Sequence, residues 1–206
     1  NGNGHGPKGK EANRPKSSHQ KNKIKGKKNR SAPELVEMPA LDPALGGVFD
    51  LSSLRPAEVA WAQETLTQAC SFDWASLAPY MGERRVRVTL GDPPARGMYY
   101  PVDFELEVHK YFYANDTAIA SRVLAWEAAH VVDIMSLTDQ QRTQIQALYH
   151  PDGPDTHGWF SGAYDHQVGE AFMEGFVGAY CPSLADGSSF SHETTPEIAA
   201  EIRNIL

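Results

Sequence analysis

Residues 123–133 read "VLAWEAAHVVD", and the way they fold decides where the chemistry of the chain can sit. Extended back to Asp116 and on to Leu137, the stretch places Ile119, Val123, Trp126, His130 and Ile134 near the 3.6-residue period of an α-helix, with Asp116 as its N-cap. Residues four apart on a helix project from one face. Trp126 and His130 therefore share a face, with Glu127 beside them in a W-E-x-x-H frame.

The segments around this helix define its setting. "TDQQRTQIQALYH" predicts a second helix with Thr138 as N-cap, and "PDGPDTHGWFSGAYD" is turn-rich. "HQVGEAFMEGFVGAYCPS" predicts a helix from about Val168 that ends before Pro182, and "TTPEIAAEIRNIL" a short closing helix with Pro196 in its first turn. Upstream, "RRVRVTLGDPP" (84–94) alternates Val86, Val88 and Leu90 with polar residues, as a strand does. "YYPVDFELEVHKYF" predicts a second strand, with Val102, Phe104, Leu106 and Val108 opposed to Asp103, Glu105, Glu107 and His109. An amphipathic helix is expected in "LRPAEVAWAQETLTQAC", starting near Ser53 and Pro56, and residues 32–54, with three prolines and a Gly-Gly, predict an extended arm. No internal repeat is present. The fold class is α+β.

The chain has 206 residues, 41% of them hydrophobic, enough for one core. No run of about 18 apolar residues exists, so no membrane span is expected. The chain opens at Asn1 with no initiator Met and no apolar leader segment, as a trimmed or mature form would. Its net charge of −7 conceals an asymmetry: residues 1–31 hold ten Lys or Arg and one acid, leaving nine basic and twenty-five acidic residues for the remainder. A tail of about +9, rich in Gly, Asn, Lys and Ser, has almost nothing apolar to bury and is expected to be disordered. It suits a polyanion, either nucleic acid or an anionic envelope, or an acidic protein surface, and equally a solvated linker. No aromatic residue is interleaved with its basic ones, which argues against a base-stacking single-strand binder. Cys70 and Cys181 lie too far apart in sequence for a zinc knot, and either one disulfide in an exported protein or two buried thiols satisfies them.

Forty residues beyond His130, "YDHQVGEAFMEGFVGAY" sets Tyr164 six positions before Glu170, which Phe172, Glu174 and Phe176 follow at alternate positions. Together with Glu127 and His130 this resembles the zincin peptidase superfamily, most closely its anthrax-lethal-factor-like group. There an H-E-x-x-H helix is followed by a helix with an E-x-F-x-E-x-F-like pattern. The resemblance covers roughly residues 84–206 and implies a zincin-like domain, here 55–206, behind the arm and the basic tail. It implies Glu127 as general base, His130 and Glu170 as zinc ligands, and Tyr164 as oxyanion donor. Glu174 and Asp133 would hold the site groups in place. The half-sheet ahead of the active helix would hold a peptide along its edge.

The chain departs from that pattern at one position. The group's first histidine falls on Trp126, whose indole has no lone pair for a metal. His130 and Glu170 are two ligands where catalytic zinc usually has three. The expected reading is a metallopeptidase-like domain with a degenerate site and a binding or structural role, its zinc weak or absent. Two alternatives stand beside it. One is an active peptidase in which His109, His157 or His166 substitutes, or of which the Trp126 form is an inactivated variant; the other is a non-catalytic virion or envelope assembly protein. An extracellular or virion setting is favoured. Neither a G-x-S-x-G elbow nor a phosphate-binding glycine loop is present.

Overall fold

The sheet owes its order to a hairpin whose second strand inserts beside an earlier one. In the computed structural model, which describes residues 37–149, 159, 168–185 and 194–206, β1 (Phe49–Asp50), β2 (Val86–Gly91), β3 (Gly97–Tyr100) and β4 (Glu105–His109) form one sheet in the order β1-β2-β4-β3. The pairs β1–β2 and β2–β4 are parallel, whereas β3 runs antiparallel to β4 at the sheet edge. Val86, Val88, Tyr99, Leu106 and Val108 are buried on one face of the sheet.

That buried face packs on α5 (Thr117–Ser136), which contacts β3 and β4 on one side and α7 (Val168–Tyr180) on another. Ala120, Ala125, Ala128 and Ala129 on α5 are fully buried, and their short side chains let sheet and helix approach closely. The other α-helices among the described residues are α1 (Pro43–Gly46), α2 (Pro56–Glu64), α3 (Ala78–Met81), α4 (Lys110–Asn115), α6 (Asp139–Tyr149) and α8 (Pro196–Ile205). All described residues belong to one unit, Val36–Leu206. No described helix is long and apolar enough to cross a membrane.

The helix starts follow their local chemistry. Asp116 accepts from Ile119 N at 3.2 Å, and Thr195 caps α8 ahead of Pro196. Thr138 and Gln141 cap α6 reciprocally, Thr138 Oγ1 accepting from Gln141 N (3.2 Å) and Gln141 Oε1 from Thr138 N (2.9 Å). By contrast, α2 starts from Arg55 rather than Ser53; the Glu58 carboxylate reaches back to Arg55 N at 2.8 Å, while Ser53 Oγ donates to Val88 O.

Two expectations are corrected. The strand expected over 99–112 is a hairpin followed by a helix: Tyr100 ends β3, residues 101–104 turn, β4 holds only Glu105–His109, and Lys110 begins α4. Pro101 has no N–H for a ladder and Phe104 takes a left-handed φ of 51°, so the alternation that runs through Val102 and Phe104 carries no strand, and Val102 is 88% exposed. The arm expected over 32–54 is, from residue 37 on, part of the body. Leu45, Val48, Phe49, Leu51 and Leu54 are buried there, and Phe49 meets Trp74 edge-on at 5.3 Å. The basic tail, residues 1–31, lies outside the described residues.

Cys70 and Cys181 form a disulfide that joins the end of the turn following α2 to the end of α7. Ser71 N donates to Tyr180 O beside it at 2.7 Å. A bridge between residues 111 apart in sequence restricts the unfolded chain strongly. Reduction, or Cys70→Ser with Cys181→Ser, is expected to lower the unfolding free energy by about 3–5 kcal/mol in urea titrations. A loss below about 1 kcal/mol would show that the bridge constrains little.

Candidate functional site

The site forms where α5 passes between the edge of the sheet and α7. Three α5 positions at helical spacing, Arg122, Trp126 and His130, meet two α7 positions four apart, Glu170 and Glu174. Arg122 Nη2 donates to both oxygens of Glu174, at 3.0 and 3.2 Å. Trp126 Nε1 donates to Glu170 Oε2 at 3.3 Å. His130 Nε2 lies 3.7 Å from Glu170 Oε1. The rising α5 numbers against falling α7 numbers make the two helices an antiparallel ladder. Trp126, Glu170 and Glu174 are each buried.

Glu127 turns from the same helix toward β3, where the Tyr99 backbone N–H donates to its carboxyl. Space for it comes from Gly97: a Cβ there would stand 2.4 Å from Val123 Cγ1 and 2.9 Å from Glu127 Cγ. Burial, and secondarily the negative charge of Glu170, push the Glu127 carboxyl up to about 8. The carboxyl is therefore protonated at neutral pH. Burial takes His130 the other way, down to about 4, so its imidazole is neutral. With a neutral ring at 3.7 Å, the His130–Glu170 contact is not an ion pair.

Each expected residue that lies among the described ones has a definite place. Glu127, His130 and Glu170 come together, with Trp126 among them. Glu174 is raised by burial and drawn back by its Arg122 partner. Asp133, fully buried, accepts from Arg142 Nε and from Trp159 Nε1, each at 2.9 Å, while Arg142 Nη2 donates to the Asp133 backbone carbonyl. It thus secures α6 and residue 159 against α5. The His109 ring heads α4, its Nδ1 accepting from Tyr111 N at 3.2 Å, with Tyr111 and Phe112 against it. Tyr164, His157 and His166 lie outside the described residues.

Sequence reasoning did not single out Gly97, Tyr99, Arg122, Arg142 or Trp159. Arg122 carried the one available signal, since it precedes Trp126 by four positions on a helix whose later members were already candidates.

Among the described residues no group of three or more His, Cys, Asp or Glu is placed to hold a metal ion. The chemistry of the donors agrees: Trp126 turns a protonated nitrogen toward the shared carboxylate, leaving His130 and Glu170 as two ligands where catalytic zinc takes three. The described residues do not fit a zinc centre. No protein-family model, no curated protein and no solved structure matches the chain.

The protonated Glu127 has a measurable consequence. Above about pH 4.5 the unfolded chain has lost this proton and the folded chain keeps it, so each rise in pH costs stability until the folded value near 8 is reached. Glu127→Gln removes the effect. Its unfolding free energy, relative to that of the unmodified protein, is expected to rise by about 2 kcal/mol from about pH 6.5 to about 8 and then to level off. A difference that stays flat over that range would mean Glu127 is ionised throughout.

Proposed function

We propose that the chain is a zincin-like domain whose metal site is degenerate and whose role is to bind an extended polypeptide rather than hydrolyse it. The observation that carries this reading is the Trp126 Nε1–Glu170 hydrogen bond, which engages a would-be ligand oxygen with an indole proton. The placement of Glu127 and His130 on α5, of Glu170 on α7 and of an antiparallel edge strand alongside α5 supports the zincin-like part. The Trp126 indole supports the non-hydrolytic part, because its nitrogen carries a proton and has no lone pair for a metal that would activate water.

The geometry of β3 supports the binding part. The Arg96 carbonyl accepts from His109 N, so the backbone groups of 96, 98 and 100 turn toward β4. Those of Gly97 and Tyr99 turn the other way, to the side on which the sheet has no further strand among the described residues. An extended peptide would pair there by strand addition. The Cys70–Cys181 disulfide suits an oxidising, extracellular or virion setting. Residues 1–31 would attach the domain to a polyanion, through an attraction that weakens steeply with salt.

Panning a displayed library of random peptides against the immobilised protein tests the binding role. Recovered peptides are expected to stay intact on prolonged incubation and to slow amide exchange at Gly97 at least tenfold. Cleavage of those peptides would establish a peptidase instead, and protection confined to other residues would remove β3 as the docking edge.

A further inference from the structure

Asn115, Asp116 and Thr117 form the N-x-S/T pattern on which an oligosaccharide is transferred to asparagine in secreted proteins. So short a pattern recurs by chance, and its placement decides whether it matters. Here α4 ends at Asn115, Asp116 leaves the helical region with φ −153° and ψ 86°, and Thr117 opens α5. The pattern thus falls on the break between two helices, and residues 114–118 are all exposed. The Asn115 Nδ2 donates to the Tyr111 carbonyl at 2.8 Å, in a bond that itself lies at the surface. A second, independent observation concerns the compartment. Both cysteines of the chain are joined in the Cys70–Cys181 bridge, as in the oxidising setting of secreted proteins, whose surface asparagines receive such glycans.

We propose that Asn115 is a glycosylation site that takes an N-linked oligosaccharide at the junction of α4 and α5. In the transfer Asn115 Nδ2 attacks the anomeric carbon of an oligosaccharide carried on a lipid diphosphate. The new N–C bond forms as the C–O bond to the diphosphate breaks, one amide proton is lost to a base, and nothing is oxidised or reduced. The second amide hydrogen stays, so Nδ2 keeps a donor for the Tyr111 carbonyl and the end of α4 is not disturbed. Along α5, Thr117 and His130 are separated by about 20 Å at about 1.5 Å per residue, so the glycan is attached well away from the α5–α7 cluster. The inference shares with the preceding reading only the oxidising setting, and peptide binding neither requires it nor follows from it.

The full chain and its N115Q, T117A and T117S variants would be directed by an added leader into the secretory pathway of cultured mammalian cells. Peptides of the purified proteins would be mapped by mass spectrometry before and after a peptide N-glycosidase in heavy-oxygen water. Mapping by peptide is needed because Asn29-Arg30-Ser31, in the tail outside the described residues, has the same pattern. In the unmodified chain the peptide holding Asn115 is expected to carry a glycan that the enzyme removes, leaving a labelled aspartate at that position. T117S, which keeps the pattern, is expected to retain the glycan, and N115Q and T117A to lose it completely. An unmodified chain whose Asn115 is bare while Cys70 and Cys181 are bridged overturns the proposal, as does glycan confined to Asn29 or glycan at Asn115 that survives T117A. Should the chain be retained inside the cells, the same map of the retained protein decides between these outcomes.

Discussion

The structure depends on how two carboxylates are buried on α7. Glu170 and Glu174 are four residues apart, both 6% exposed, and both face α5. A buried carboxylate without partners costs several kcal/mol, so each must be answered by donors or lose its charge. Glu174 is answered by a full cation, the Arg122 guanidinium, in a two-oxygen contact. One turn away Glu170 meets the Trp126 N–H and the neutral His130. Glu127 shares that desolvated space, and burial first, with the negative charge of Glu170 second, keeps its proton on up to about pH 8.

The same stripe of α5 explains what each neighbouring element does. Counting along it, Arg122, Trp126, His130 and Asp133 recur at helical spacing, and each is met by whichever element crosses at that height. Arg122, Trp126 and His130 meet α7. Asp133, one turn farther on, has passed α7 and meets Arg142 of α6 together with Trp159. A role for Asp133 in holding the site groups follows naturally from its place in the sequence pattern. Its bonds tie Arg142 of α6 and Trp159 to α5.

How much of this the sequence disclosed depends on whether a feature was local. The starts of α5, α6 and α8 are written in Asp116, Thr138 and Thr195 with their neighbours, because capping joins residues two or three apart. Glu127, His130 and Glu170 stood out only through the resemblance of their spacing to a zincin pattern, and periodicity supplied no more than the helices α5 and α7 that carry them. The hairpin was not, since a period-2 pattern carries on through Pro101 and Phe104 while the backbone turns. Leu45, Val48 and Phe49 looked like a linker because prolines and glycines surround them, and only tertiary packing on Trp74 makes them core. Gly97 lay beyond any sequence reading, because its meaning is the 2.9 Å that a Cβ would leave to the Glu127 side chain of another element.

Trp126 separates fold from chemistry in this protein. On the proposed reading the facing helices α5 and α7 are kept and one donor between them is changed. Whatever side chain stands at position 126 meets a buried carboxylate, and burying such a group is costly unless donors face it. The indole supplies an N–H to Glu170 and apolar bulk beside it, and Glu127 in the same buried space carries a proton. The cluster then stands as a polar node of the core. Because Glu127 also holds the Tyr99 N–H, the node reaches the open edge of β3, and a strand arriving there would compete directly with the Glu127 carboxyl for that donor.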